Sequence, residues 1–180
     1  MATVTPIQQQ GVSLIESMIV LFVLSIVVGT ALPSFQSMRQ RADLAGVAAQ
    51  LETDVQFARG QARAIDRPVR LTLRETDSGT CYMVHTGASA DCTCGVAQQP
   101  AVCGGDSELL RSVTLDAKGD VQVRSASKSV AFDPLRGTVT PTATLRVEAR
   151  DGRAVHLVVN LLGRVRSCSP QGRNAGEVAC

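Results

Sequence analysis

A chain of 180 residues has room for one globular domain and one extended element. Aromatic residues make up only 3% of it and Trp is absent, so a core must be built from Val, Leu, Ala and Ile, which favours thin β-structure. The net charge of +2 excludes a strongly polycationic or polyanionic chain, but that charge is unevenly spread. Residues 39–74 carry seven Arg against four acids, and residues 75–145 carry five Lys or Arg against eight. Residues 146–180 carry six Arg against three acids, a mild basic tail of the kind that is ordinarily a solvated face.

From Val12 to Leu32 the chain is almost wholly apolar, VSLIESMIVLFVLSIVVGTAL. As a helix at about 1.5 Å per residue this run reaches roughly 30 Å, the thickness of a bilayer core. One acid, Glu16, stands inside it; an ionised carboxylate there costs about 2.5–3.5 kcal/mol and asks for a partner. A secretory signal cleaved near Gly29-Thr30-Ala31 fits poorly, because residues 1–11 hold no Lys or Arg and the apolar run is too long. A plain single-span anchor is a second reading, with Glu16 tolerated near the interface.

The residues themselves carry a third reading. Gly11-Val12-Ser13-Leu14-Ile15-Glu16 resembles the G-F-T-L-I-E processing site of type IV pilins and type II secretion pseudopilins, with Val12 where Phe is usual. The resemblance implies that prepilin peptidase cuts between Gly11 and Val12 and methylates the new amine on Val12. It makes residues 1–11 a leader and residues 12–32 a single transmembrane segment in the inner membrane, with the head in the periplasm. Glu16 would then pair with the N-terminal amine of a neighbouring pilin or pseudopilin in a filament. That supplies the partner its burial demands.

After Pro33 the pattern turns amphipathic. Apolar or small residues recur at Phe35, Met38, Ala42, Ala45, Ala48, Ala49, Leu51, Val55, Ala58, Ala62 and Ile65, mostly three or four apart. A helical extension over residues 33–66 follows, kinked at Pro33 and ending before Asp66-Arg67-Pro68. Residues 67–180 read as a β-rich head. Val69–Leu73 alternates with period two, Cys81–His85 is its hairpin partner, and residues 86–108 form an irregular loop. Further strands are expected near 111–115, 121–124, 129–132, 144–149, 153–160 and 163–168, with Asp151-Gly152 as a hairpin turn. The fold class is α+β: a long N-terminal helix packed on a small antiparallel sheet.

Six cysteines, at 81, 92, 94, 103, 168 and 180, are confined to the head and read as disulfides of an oxidising compartment. Cys168 with Cys180 is the natural first pair, leaving Cys81, Cys92, Cys94 and Cys103 to pair among themselves. Metal binding is the rival reading, but Cys92-Thr-Cys94 lacks the CxxC spacing and nearby His of a zinc site.

Further stretches narrow the resemblance. Phe57–Ile65 followed by Val69-Arg70-Leu71, the turn at Val130–Gly137, and the strand Val155–Leu162 leading into Gly163-Arg164-Val165-Arg166 are similar to the GspH/FimT family of type IV pilin-like proteins. That family includes minor pseudopilins at the tip of the type II secretion pseudopilus. It also includes FimT-like minor pilins that bind DNA during natural transformation through a Gly-Arg-x-Arg motif, which Gly163, Arg164 and Arg166 match. Two arginines at i and i+2 of a strand project to one side and can each hold phosphate oxygens, with Arg173 as a third contact. A pair of solvated arginines blunting an edge strand is the plainer reading of the same residues. A third role is a minor pilin that primes pilus assembly. The sequence offers no enzyme constellation: His85 and His156 stand alone in strand-like stretches, and neither a phosphate loop nor a cofactor motif is present.

Overall fold

The computed structural model describes residues 13–95, 100–170, 172 and 178–180, the side chains of residues 30–34 excepted. One helix, α1, runs from Leu14 to Ala64 and is continuous through residue 33. Ser13 caps it: its hydroxyl accepts the Glu16 amide at 3.3 Å, with the acid at the third helical position. At the far end Asp66 takes φ 50° and the Arg67 amide reaches back to the Ala62 carbonyl at 3.2 Å, so a left-handed residue closes the helix just before Pro68.

The chain divides into two compact units, residues 1–39 and 40–180, so the second half of α1 belongs with the head. In the first unit the large apolar side chains from Leu14 to Val28 lie on every side of the helix, each at least 48% exposed. A helix apolar all round needs an apolar environment to cover it. Among the described residues no helix is long and apolar enough to cross a membrane. The described side chains of this run end at Gly29, short of Leu32, where the sequence closes it.

Among the described residues the second unit holds eleven strands. They are β1 (Val69–Thr76), β2 (Gly79–Thr86), β3 (Cys92–Thr93), β4 (Val102–Cys103), β5 (Leu109–Asp116) and β6 (Val121–Ser125). Then follow β7 (Ser129–Phe132), β8 (Val139–Thr140), β9 (Ala143–Ala149), β10 (Ala154–Val159) and β11 (Val165–Cys168). The single sheet expected from the sequence is two: a five-stranded sheet in the order β5-β2-β1-β7-β8 and a four-stranded one in the order β11-β10-β9-β6. The loop after β2 also holds a two-stranded ribbon, β3 with β4. All ladders are antiparallel, and Gly152 turns β9 into β10 with φ 88°.

One core joins the helix to the inner faces of both sheets. Leu44, Ala48, Leu51, Val55, Ala58 and Ala62 form the buried stripe of α1, spaced alternately four and three. Leu44 opens this stripe, whereas Phe35, Met38, Ala42, Ala45, Ala49 and Ile65 are exposed. Alanine is small enough to sit on either face, so its spacing alone does not choose one. Opposite lie Leu71, Tyr82 and Phe132 of the first sheet and Val123, Leu145, Val147 and Leu157 of the second. Along β6 and β9 of the second sheet these buried residues alternate with more exposed ones, the period-two pattern of a sheet with one buried face.

A polar bolt crosses this core. Asp54 of α1 is fully buried and accepts the Tyr82 hydroxyl at 2.7 Å and the Gln50 amide at 3.1 Å. The Arg111 guanidinium pairs with it from β5 and stacks over the Phe57 ring, 4.7 Å from its centroid. Burial first, and the Asp54 hydrogen bond second, push the Tyr82 phenol far above its usual range.

Candidate functional site

The structure pairs Cys168 with Cys180, Cys81 with Cys94, and Cys92 with Cys103. The first links the end of β11 to residue 180, whose neighbour Ala179 bridges to Ser169. The other two pin the loop after β2. Cys92 and Cys103 are directly opposed in the β3–β4 ribbon. Asp91 organises the base of the loop by accepting the Ala88 amide and the Ser107 hydroxyl, each at 2.7 Å. Those two hydrogen bonds hold its carboxyl below the usual range.

This pinned loop lies on the back of the first sheet. There Cys81, Met83 and His85 are all buried, and Cys92 and Ala101 pack against the first two. His85 bonds Thr72 Oγ1 and the Thr86 carbonyl, both at 2.9 Å, and burial holds its imidazole below the ordinary range. It is a satisfied core residue, as its isolation in the sequence suggests.

The Gly-Arg-Val-Arg segment forms the turn from β10 into β11 and the start of that edge strand. Asn160 builds the turn: its side-chain oxygen accepts the amides of Leu162 at 3.1 Å and Arg164 at 2.9 Å. Gly163 is buried with φ 69°, and a Cβ there would lie 3.0 Å from the Arg59 side chain of α1. Glycine is required by both conformation and space. Arg164 and Arg166 are exposed, while Val165 between them packs on the core. Both arginines therefore lie on the outer face of the second sheet. Among the described residues, neither makes an ion pair.

Two expected site residues, Gly11 and Val12, lie outside the described residues, as does Arg173. Glu16 is exposed in the first turn of α1. There its position next to a helix N-terminus is electrostatically favourable whatever else it does.

Sequence reasoning missed the companions of Arg164 and Arg166. Arg146 of β9 is exposed on the same outer face, directly opposite Arg124 of β6 on one side and His156 of β10 on the other. Burial chiefly, and then the Arg146 charge, hold the His156 imidazole below its usual range. In sequence these residues look like unremarkable polar positions of three alternating strands. Only the register brings them into one row.

The model of the family described as type II transport protein GspH matches residues 47–163, and that of the prokaryotic N-terminal methylation motif matches residues 7–32. No curated protein sequence matches the chain. A crystal structure of the type IV minor pilin FimU of Pseudomonas aeruginosa strain PAO1, in space group P21, aligns with a TM-score of 0.50 and 19% identity. That alignment covers 73% of this chain and 95% of the other. A second crystal form, P65, gives a TM-score of 0.48 and 18% identity over 71% and 97%. At this identity the P21 likeness speaks for the fold: a long helix followed by antiparallel sheets. Matched over more than half of its length and at its N-terminal motif, the chain belongs to the GspH/FimT family of type IV pilin-like proteins, as a minor pilin- or pseudopilin-like protein.

Proposed function

We propose that this chain is a minor pilin of a type IV pilus machine that binds DNA during natural transformation. Prepilin peptidase cuts it between Gly11 and Val12 and methylates Val12. The segment from residue 12 to residue 32 then holds it in the inner membrane, head in the periplasm, until it joins other pilins. Cleavage leaves the new amine on Val12, four residues before Glu16 in sequence. In a filament, the carboxylate of one subunit pairs with the amine of its neighbour.

The observation that carries the DNA reading is the placement of Arg164 and Arg166. They are exposed, on one side of an edge strand, and presented by a turn that Gly163 and Asn160 hold fixed. Guanidinium groups without an intramolecular anion are available for phosphate oxygens. The test uses the full chain in a zwitterionic detergent and anisotropy of a labelled DNA. Arg164→Gln with Arg166→Gln should weaken binding about tenfold or more and reduce the log–log salt slope by about 1.8. Unchanged binding in the double variant refutes the site.

A second reading is a minor pseudopilin at the tip of a type II secretion pseudopilus, favoured by the type II transport description of the matching family. Under it, deletion of the gene blocks exoprotein release and leaves DNA uptake intact. Under the first reading the reverse holds. Loss of surface pili without either effect points to an assembly-priming role instead.

A further inference from the structure

The backs of the two sheets are finished differently. The disulfide-pinned loop packs on the back of the first at Cys81 and Met83. Among the described residues the back of the second is open, with Val158 39% exposed at its centre and Arg124, Arg146 and Arg166 exposed around it. The register sets Arg124 directly opposite Arg146. Like charges so placed destabilise a strand pair. The one acid on these four outward faces, Glu148, reaches Arg124 only at 3.9 Å and leaves Arg146 without an ion pair. An anion lying across the row would relieve that repulsion, which among the described residues only Glu148 offsets, and only at Arg124.

The spacing also carries information. Val158 faces Arg166, and the next outward residue of β10, His156, faces Arg146. Arg166 and Arg146 are thus two strands and two residues apart, about 12 Å between Cα atoms. This is close to the width of a B-DNA major groove, so two arginine pairs, Arg164 with Arg166 and Arg146 with Arg124, can meet phosphates of opposite strands. Unpaired bases, by contrast, need aromatic platforms. The head has none to offer. Tyr82 and Phe132 are 1% exposed, Phe57 is stacked beneath Arg111, Phe22 and Phe35 lie in residues 1–39, and Trp is absent. The one ring on the open face is the half-buried His156.

Resting on the DNA reading of Arg164 and Arg166, we infer that the open back of the second sheet is a face for duplex DNA, with Arg146 and Arg124 holding the phosphates opposite those held by Arg164 and Arg166. Binding then follows backbone geometry and ignores base sequence. Arg124 and Arg146 are both exposed, so glutamine at either position leaves the fold intact.

The experiment titrates the full chain in zwitterionic detergent against a labelled duplex and against oligo(dT) of equal length, over a range of salt. Arg146→Gln should weaken duplex binding about threefold to tenfold and shorten the salt slope by about 0.9. Lys118→Gln, which removes the same charge from the turn between β5 and β6, should change neither. Oligo(dT) should bind at least about tenfold more weakly than the duplex. If Arg146→Gln binds like wild type while the Arg164/Arg166 double variant fails, the extended face is wrong and the edge-strand site stands. If both variants bind like wild type, the DNA reading itself falls. Equal or tighter binding of oligo(dT) overturns the duplex assignment.

Discussion

Replacing Asp54 by Ala should be among the most damaging single changes in the head. Among the described residues its carboxylate is the only acceptor for the Tyr82 hydroxyl, and that residue is 1% exposed. Leaving a buried hydroxyl unpaired costs about 1–3 kcal/mol. The Arg111 side chain is 39% exposed, so it regains water when its partner goes, and the lost ion pair adds only about 1 kcal/mol. The sum, about 2–4 kcal/mol, corresponds to a fall in Tm of roughly 5–15 °C. Asp54→Asn keeps an acceptor for Tyr82 and should cost about half as much. With one Tyr and no Trp in the chain, intrinsic fluorescence reports Tyr82 alone, so urea unfolding followed by that signal reads the right place. The reasoning is refuted if Asp54→Ala stays within about 0.5 kcal/mol of wild type. It also fails if Asp54→Ala and Arg111→Ala prove additive to within that margin in a double-mutant cycle.

Three further outcomes follow from the same geometry. Cys92→Ser with Cys103→Ser opens a loop of sequence separation 11 and should cost about 2–3 kcal/mol, with hydrogen exchange rising at Met83 and His85 beneath it. Stability should be flat between about pH 7 and 9 and fall as pH drops below about 6.5, because the unfolded chain takes up a proton that buried His85 resists; above about pH 10 it falls again, as the unfolded chain gives up the Tyr82 proton that the fold holds. His85→Gln should remove that part of the slope, leaving the contribution of His156, which is depressed in the same direction; the carboxyls of Glu75, Asp91 and Asp151, held low by their partners, add a loss only below about pH 4. Gly163→Ala forces a side chain into φ 69° against Arg59 and should cost about 1–2 kcal/mol while weakening DNA binding through displacement of Arg164; full binding with full stability would contradict the turn as described.

What could be read in advance was local. Val69–Leu73 and its partner announce themselves by alternation, and Asp151-Gly152 turns where a short polar pair with a glycine must. Asp66-Arg67-Pro68 likewise marks the end of α1. Ladder register, however, is a long-range property, so the opposition of Arg124 to Arg146 and the division into two sheets left no trace in any window of the chain. Asp54 was hidden for another reason. A charged residue in an amphipathic helix reads as solvent-facing, and its acceptance into the core depends on Tyr82 and Arg111, 28 and 57 residues away. The β3–β4 ribbon, two residues a side, is too short to have a period.

The ends of the two sheets bear on how such a protein behaves in a crowd. A filament holds heads at extreme local concentration, where every bare strand edge invites a neighbour to pair with it and turn ordered growth into aggregation. Here β8 is two residues long, and β11 is four, flanked by arginine and tied at its end by the Cys168–Cys180 link. Beside β6, the Arg150 guanidinium covers the carbonyls of Lys118 and Gly119. With β8 and β11 short or tied down, fewer bare backbone groups are left through which crowded heads could pair, and the proposed filament would order its copies through the helix, the part of the chain most unlike the head.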